Sequence, residues 1–398
     1  MRFYEFEAKR VLAKRGIPVP ESATAKTAAE AEQIAAKLGG PVVLKAQVLA
    51  PPLRAAGTKT VETPAQAKQE AEKLLQLDDG GRTPKGILIE KRPKGVKEFS
   101  LAATYDGTRK LPVIGASAQP GNIDELGDKH PDKVVRRHFS ALLPFSDYLA
   151  KELVSSLGLT GADLTRMTPI VARLAQLFLD YDLTQADIYS LALLEDGKLV
   201  ALDCHMDMEV EGRRRQKALL DELGIEAEDT RVPRLPTPLE VEAAKIDTED
   251  PRGVAGPVVE FDGNIGLIIG AGGGSLTLTD AVRKHGGKPA NYAALGGNPS
   301  VKKAQRLTKL ILSKPGVKKI AVMSNVVSNT RADLVARGVI KGVTELGLNP
   351  KDTIAIFRVP GAWEADAFKI LEKYGVEYCD RTVSISEAAK RAVEKIGR

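Results

Sequence analysis

Between residues 264 and 396 the chain alternates strand and helix without interruption, and this pattern constrains its fold more than any other feature. β-branched runs at 264–270, 290–294, 318–323 and 352–358 predict strands. Segments with helical spacing begin near 276 and span 300–312, 331–346, 363–374 and 385–396. Such alternation predicts a doubly wound, flavodoxin-like parallel sheet, in which each strand is buried on both faces by the helices that connect it to the next.

The first 220 or so residues read differently. Tyr4, Ala8, Val11 and Leu12 fall on one helical face that stops at Gly16, and Thr27 with Glu30 predicts a capped helix running to Gly39-Gly40. Residues 41–48 read as a strand carrying a single lysine, Lys45, and Thr63-Pro64 opens a further helix. Strands at 86–91, 98–105 and 110–117 follow, the last two joined at Asp106-Gly107. Helices at 146–157 and 163–180 lead to a hairpin of 186–194 with 199–204, turning at Asp196-Gly197. This half is α+β with antiparallel pairing. Between the halves, 226–257 holds five prolines among charged residues with little periodicity and reads as a linker, giving domains at 1–225 and 258–398.

A length of 398 residues fits this division into two or three domains. The net charge of +6 is spread without a long basic block, which suits small anionic substrates and excludes a dedicated nucleic-acid module. Cys204 and Cys379 lie far apart without metal-ligand spacing, which argues against a disulfide framework and for a reducing compartment. The opening residues lack an apolar core of signal-peptide length, and no apolar run reaches membrane-spanning length, so a cytoplasmic, membrane-free protein is expected.

Three features carry chemistry. Gly270-Ala271-Gly272-Gly273-Gly274-Ser275 lies between a strand and a helix, where bare N–H groups and the helix dipole favour an anion. A tight turn is the bland alternative, although a turn needs only one or two glycines. Ser275 occupies what would be the third glycine of a dinucleotide fingerprint, so that motif is absent. Arg358 ends the strand Ile354–Arg358, placed either to grip a carboxylate or to form a surface ion pair. Lys45 is either a phosphate-binding lysine or an exposed strand residue.

Several ordered segments together resemble the succinyl-CoA synthetase beta-subunit family, relatives of citryl-CoA synthetase and ATP-citrate lyase. They are Tyr4-Glu5-Phe6-Glu7-Ala8-Lys9, Gly16-Ile17-Pro18-Val19-Pro20, Lys45-Ala46-Gln47-Val48, Phe261-Asp262-Gly263-Asn264-Ile265-Gly266, the glycine run, and Lys284-His285-Gly286-Gly287-Lys288-Pro289-Ala290-Asn291-Tyr292. The resemblance spans nearly the whole chain. It implies an ATP-grasp-like first domain and a CoA-ligase second domain. It also implies a hetero-oligomer with an alpha-type subunit that binds CoA and carries a phosphohistidine, and a small di- or tricarboxylate substrate. By resemblance, ATP or GTP with Mg²⁺ would meet Lys45, Arg54, Glu90 and Glu98, with Asp187 and Asp203 at the metal. The phosphate or carboxylate would meet Asn264, Gly272, Gly273, Gly274, Ser275, Ser328, Asn329, Thr330 and Arg358. No catalytic residue is expected on this chain itself.

Three departures stand out. Pro51-Pro52 interrupts a stretch that is glycine-rich in the family, removing two N–H donors. Tyr189 occupies the family's amide position for Mg²⁺. Val327-Ser328 replaces a Gly-Gly pair beside the carboxylate. These departures keep open an alternative, a pseudo-ATP-grasp subunit with a degenerate nucleotide site and a structural, regulatory or carboxylate-binding role.

Overall fold

The structure is a computed structural model that describes residues 1–398 apart from 50–56, 79–82, 94, 227, 228, 230, 232–234, 271, 397 and 398. The chain divides into two compact units, Met1–Leu235 and Pro236–Arg398.

The first unit holds two antiparallel sheets. Helix α1 (Glu5–Lys14) leads to β1 (Ser22–Ala25), α2 (Ala28–Leu38), β2 (Val42–Ala46), β3 (Thr58–Val61), α3 (Pro64–Leu74) and β4 (Ile87–Lys91), whose strands order as β1-β4-β2-β3. Both helices start where side chains satisfy free N–H groups: Thr27 Oγ1 accepts from the N–H of Glu30, and Thr63 and Gln66 cap reciprocally ahead of Pro64. Ala31, Ala35, Leu38, Ala67, Ala71 and Leu74 from the two helices share one core with the sheet.

The second sheet is built from β5 (Gly95–Asp106), β6 (Leu111–Ser117), β7 (Val134–His138), β8 (Leu183–Leu194) and β9 (Leu199–Met208), in the order β7-β6-β5-β8-β9. Helix α4 (Ile123–Lys129) lies between β6 and β7. Helices α5 (Asp147–Ser156) and α6 (Gly161–Asp180) precede β8, and α7 (Lys217–Leu223) follows β9. The apolar faces of α1, α5 and α6 share the largest core of the unit with this sheet.

The second unit is the doubly wound domain. Its elements are α8 (Pro238–Thr248), β10 (Val254–Glu260), β11 (Ile265–Gly270), α9 (Gly273–Lys284), β12 (Asn291–Gly296), α10 (Val301–Ser313), β13 (Lys319–Met323), α11 (Ala332–Glu345), α12 (Pro350–Thr353), β14 (Ile354–Arg358), α13 (Glu364–Lys373) and α14 (Ile385–Ile396). The sheet runs β10-β12-β11-β13-β14. Only β10, at the edge, is antiparallel. Alternation in β11 sends Leu267 and Ile269 toward α9 and α14, and Ile268 toward α10, α11 and α13. In chain order the parallel strands lie second, first, third, fourth, so the order reverses between β11 and β13. In sheets of this kind the crevice at that reversal, outside the carboxyl ends of the strands, is where ligands bind.

The segment read as a linker is folded in part. Residues 238–248 form α8, opened by a reciprocal Thr237–Glu240 cap and Pro238, and β10 starts at 254. Helix α8 buries only Ala243 and Ile246, too thin an apolar stripe to show as periodicity.

Candidate functional site

In the first unit, adjoining hollows of about 420 and 690 Å³ share Lys45, Thr58 and Asp203, and together form a cleft between the two sheets. Lys45 reaches it from β2, hydrogen-bonded on both edges by β3 and β4. Its ammonium lies 2.6 Å from Glu5 Oε1 and 3.1 Å from Glu90 Oε2. Lys9, one helical turn after Glu5, pairs with the same two carboxylates and donates to the Leu202 carbonyl at 2.8 Å. The result is a buried quartet of two ammonium groups and two carboxylates with no net charge. Burial disfavours the charged form of Glu5, and the ammonium groups of Lys45 and Lys9 overcome it, holding the carboxyl below its usual range. Burial likewise opposes the charge on Lys45, yet Glu5, Glu90 and Asp203 raise its pKa. Lys45 therefore lines the cleft as a neutralised wall rather than a free cation.

Two expectations concern this cleft. Glu90 lines the 690 Å³ hollow, but it is buried and its carboxylate is committed to Lys9 and Lys45. The main chain after it is also engaged: Lys91 donates to the Glu21 carbonyl at 2.9 Å, and Arg92 to that of Pro41 at 3.1 Å. Glu98 does line the 690 Å³ hollow, where it accepts from Ser190 Oγ at 2.9 Å. Arg54, with Pro51 and Pro52, lies outside the described residues.

The second concerns the metal pair. Asp203 lines both hollows, and Asp187 lines neither. Asp187 is 2% exposed, accepts from Gln185 Nε2 at 2.6 Å, and is also hydrogen-bonded by the Tyr189 side chain. Burial pushes its carboxyl up to about 7. Tyr189 is half-buried and takes the place on the cleft: it sits at a register shift between β8 and β9, lines the hollow, and lies parallel to the His205 ring at 6.4 Å. His205 Nε2 is 3.1 Å from Asp207 Oδ2, and Asp207 is gripped at both oxygens by Arg2, at 3.1 and 3.0 Å. Among the described residues no group of three or more His, Cys, Asp or Glu side chains is placed to hold a metal. The residues present do not fit Mg²⁺, which wants octahedral oxygen ligands facing the nucleotide.

In the second unit the glycine run opens on the crevice between β11 and β13. A Cβ on Gly270 would stand 2.4 Å from that of Ser324, so only glycine lets the two strand ends approach this closely. Gly272 caps α9 at φ 91° without a side chain, and the N–H groups of Gly273 and Gly274 have no hydrogen-bond partner among the described residues. Ser275 faces inward instead: its Oγ donates to the Gly272 carbonyl at 2.6 Å and lies 2.6 Å from Tyr292 Oη. Below the mouth, Ile268, Val322, Met323, Val327 and Val359 close the crevice, so an anion would be held at the rim.

Of the other residues expected here, Ser328, Asn329 and Thr330 do lie on the loop from β13 to α11, and Thr330 Oγ1 accepts from the Asn298 N–H at 3.2 Å. That loop is laced to the one after β14, with Val327 donating to the Pro360 carbonyl at 2.8 Å and Ala362 to that of Val327 at 2.9 Å. Arg358 is buried and fastens loops, donating from Nε to the Val383 carbonyl at 2.8 Å and from Nη1 to that of Ser324. Burial lowers its pKa. Asn264 lies at the opposite end of β11 from the glycine run. It precedes β11, whereas the glycine run follows it, and six residues of strand set the two about 20 Å apart. Its buried Oδ1 has no hydrogen-bond partner among the described residues. Glu5, Lys9 and Tyr292 are residues of the two sites to which the sequence assigns no role. The i, i+4 spacing of Glu5 and Lys9 was a visible signal, but their partners come from distant strands.

Two sheets gripping a charged cleft, followed by a flavodoxin-like unit with an open glycine rim, define an ATP-grasp chain with a ligase-type second unit. The ATP-grasp domain family matches residues 2–193. The GDP-forming succinate–CoA ligase subunit beta of Thermus thermophilus is 33% identical over 401 residues, covering 100% of this chain and 99% of the relative. The ADP-forming subunit beta of Roseiflexus sp. (strain RS-1) is 31% identical over 404 residues, covering 99% of each. Among solved structures, ATP citrate lyase from Methanothrix soehngenii, in complex with citrate and coenzyme A, shares the fold over 99% of both chains, with a TM-score of 0.61 at 18% identity. The chain belongs to the succinate–CoA ligase beta-subunit family.

Proposed function

We propose that this chain is the beta-type subunit of an acid–thiol ligase, joining a di- or tricarboxylate to CoA in a hetero-oligomer with a CoA-binding alpha-type subunit. The observation that carries the reading is the start of α9 at the reversal between β11 and β13, where the N–H groups of Gly273 and Gly274 have no partner among the described residues. Helix dipole and free amides together favour a carboxylate or phosphate there. The partner would supply the phosphohistidine and most of the CoA site. Cys204 and Cys379, both buried and in no disulfide, agree with a reducing compartment such as the cytoplasm, and among the described residues no helix is long and apolar enough to cross a membrane.

The test is acyl-CoA formation by the chain with its co-purifying partner, using succinate, malate and citrate in turn. Gly273→Pro removes one rim N–H at the first helical position, where proline is tolerated. It is expected to lower kcat/KM at least tenfold with little change in Tm; an unchanged kcat/KM would sink the rim as the anion site. A second reading is favoured by Tyr189 and the buried Asp187: a subunit that keeps the acyl half while its nucleotide cleft no longer drives the reaction.

A further inference from the structure

The carboxylates around the floor of the first-unit cleft are already answered by protein donors. Asp187 lies beneath Tyr189, 2% exposed, with Gln185 Nε2 at 2.6 Å. Asp207 is held at both oxygens by Arg2 and lies 3.1 Å from His205. Asp203 alone keeps a place on both hollows, opposite Ser190 in the ladder and within the field of the Lys45 ammonium. Between these groups the cleft presents an aromatic surface, the parallel rings of Tyr189 and His205. A phenol ring is bulky and supplies one weak neutral oxygen. Glu5 and Glu125 also line the smaller hollow, and Glu90 and Glu98 the larger, but Glu5 and Glu90 are committed to Lys9 and Lys45, Glu98 accepts from Ser190, and Glu125 pairs with Lys129. Mg²⁺ sheds water reluctantly and needs hard oxygens in near-octahedral array, and carboxylates so engaged, beside an ammonium, are a poor exchange for its hydration shell.

We infer that Tyr189 excludes the divalent cation from this cleft, so that a nucleotide bound there gains nothing from Mg²⁺. The family relationship predicts the opposite, so the inference goes beyond family membership and identifies the residue responsible. It deepens the second reading above and rests on it only for the location of the cleft. The measurement is binding by the full chain alone, so failure of acyl-CoA formation in the complex bears on the function and not on this inference.

The experiment is calorimetric titration of the full chain with a non-hydrolysable ATP analogue, in Mg²⁺ and in EDTA, repeated with Tyr189→Asn. Protein-bound Mn²⁺ is read in parallel by electron paramagnetic resonance. For the native chain the expected result is a less than twofold difference in affinity between Mg²⁺ and EDTA and no bound Mn²⁺. Tyr189→Asn is expected to open a metal dependence of fivefold or more. A tenfold gain with Mg²⁺ in the native chain, or bound Mn²⁺ without substitution, overturns the proposal. If Tyr189→Asn folds, by circular dichroism and Tm, and stays indifferent to metal, the assignment to Tyr189 is overturned. Should the analogue bind neither chain, the Mn²⁺ spectra decide: no signal in the native chain and a bound signal in Tyr189→Asn support the proposal, and any other pairing overturns it.

Discussion

At the scale of single residues, the first-unit cleft is governed by charges taken out of water. A buried carboxyl raised to about 7, as Asp187 is, makes stability depend on pH with a definite sign. Below an unfolded-state pKa near 4 both states are protonated and no penalty exists. Between about pH 4 and 7 the folded state keeps a proton that the unfolded state has released, so stability falls as pH rises, and the full penalty holds above 7. Three pKa units correspond to about 4 kcal/mol. Asp187→Asn should therefore gain stability over the native chain by a few kcal/mol between pH 5 and pH 8 in urea unfolding. An identical pH slope for the two would show the carboxyl to be ionised. The Glu5–Lys9–Lys45–Glu90 quartet predicts the reverse effect of substitution. Lys45→Met leaves two buried carboxylates facing one ammonium and should cost about 3–5 kcal/mol. Adding Glu5→Gln restores the balance and should recover more than half of that in a double-mutant cycle. Additive losses would mean that the quartet is not coupled.

At the scale of elements, packing decides where propensity alone would mislead. Helices α10 and α11 cross where Gly338 of α11 meets α10, and a Cβ there would stand 2.5 Å from Ala304 Cβ and 2.7 Å from the Val301 carbonyl. Gly338→Ala gains roughly 1 kcal/mol in helix propensity. Forcing two helices apart costs about 1–3 kcal/mol. Net destabilisation is expected, visible as a lower urea midpoint with unchanged m-value, and a stabilised variant would refute the close crossing. The same contrast explains what could be read from the sequence. Amphipathic helices such as α6, and the buried strands of the second unit, carry long periodic signals and were legible nearly to the residue. The strands β1 and β3, Ser-Ala-Thr-Ala and Thr-Lys-Thr-Val, are four residues long and mostly exposed, so they show no alternation to read. Sites were harder still. Lys45 was visible as one lysine in an apolar strand, but its neutralisation needs residues 5, 9 and 90 brought together by three elements, and no local pattern encodes that meeting.

At the scale of the whole molecule, the position of the boundary has energetic content. The apolar clusters of the second unit draw only on residues between 246 and 396, so its core is complete within Pro236–Arg398. That segment expressed alone should fold and unfold in a single cooperative transition by circular dichroism. A segment starting at 258, where the sequence reading drew the domain, should not fare as well. Lys303 is wholly buried in α10, and its ammonium is 2.8 Å from Asp247 Oδ1 and 2.8 Å from the Gly253 carbonyl, both supplied by residues that this cut removes. Stripping both partners leaves a buried cation uncompensated, worth about 3–5 kcal/mol, a large part of the stability a domain of this size has to lose. Lys303→Met should restore much of the loss in the shorter segment while weakening the longer one. Equal stability of the two segments would mean that α8 and the start of β10 merely lie against the domain, and that the sequence had placed its edge correctly.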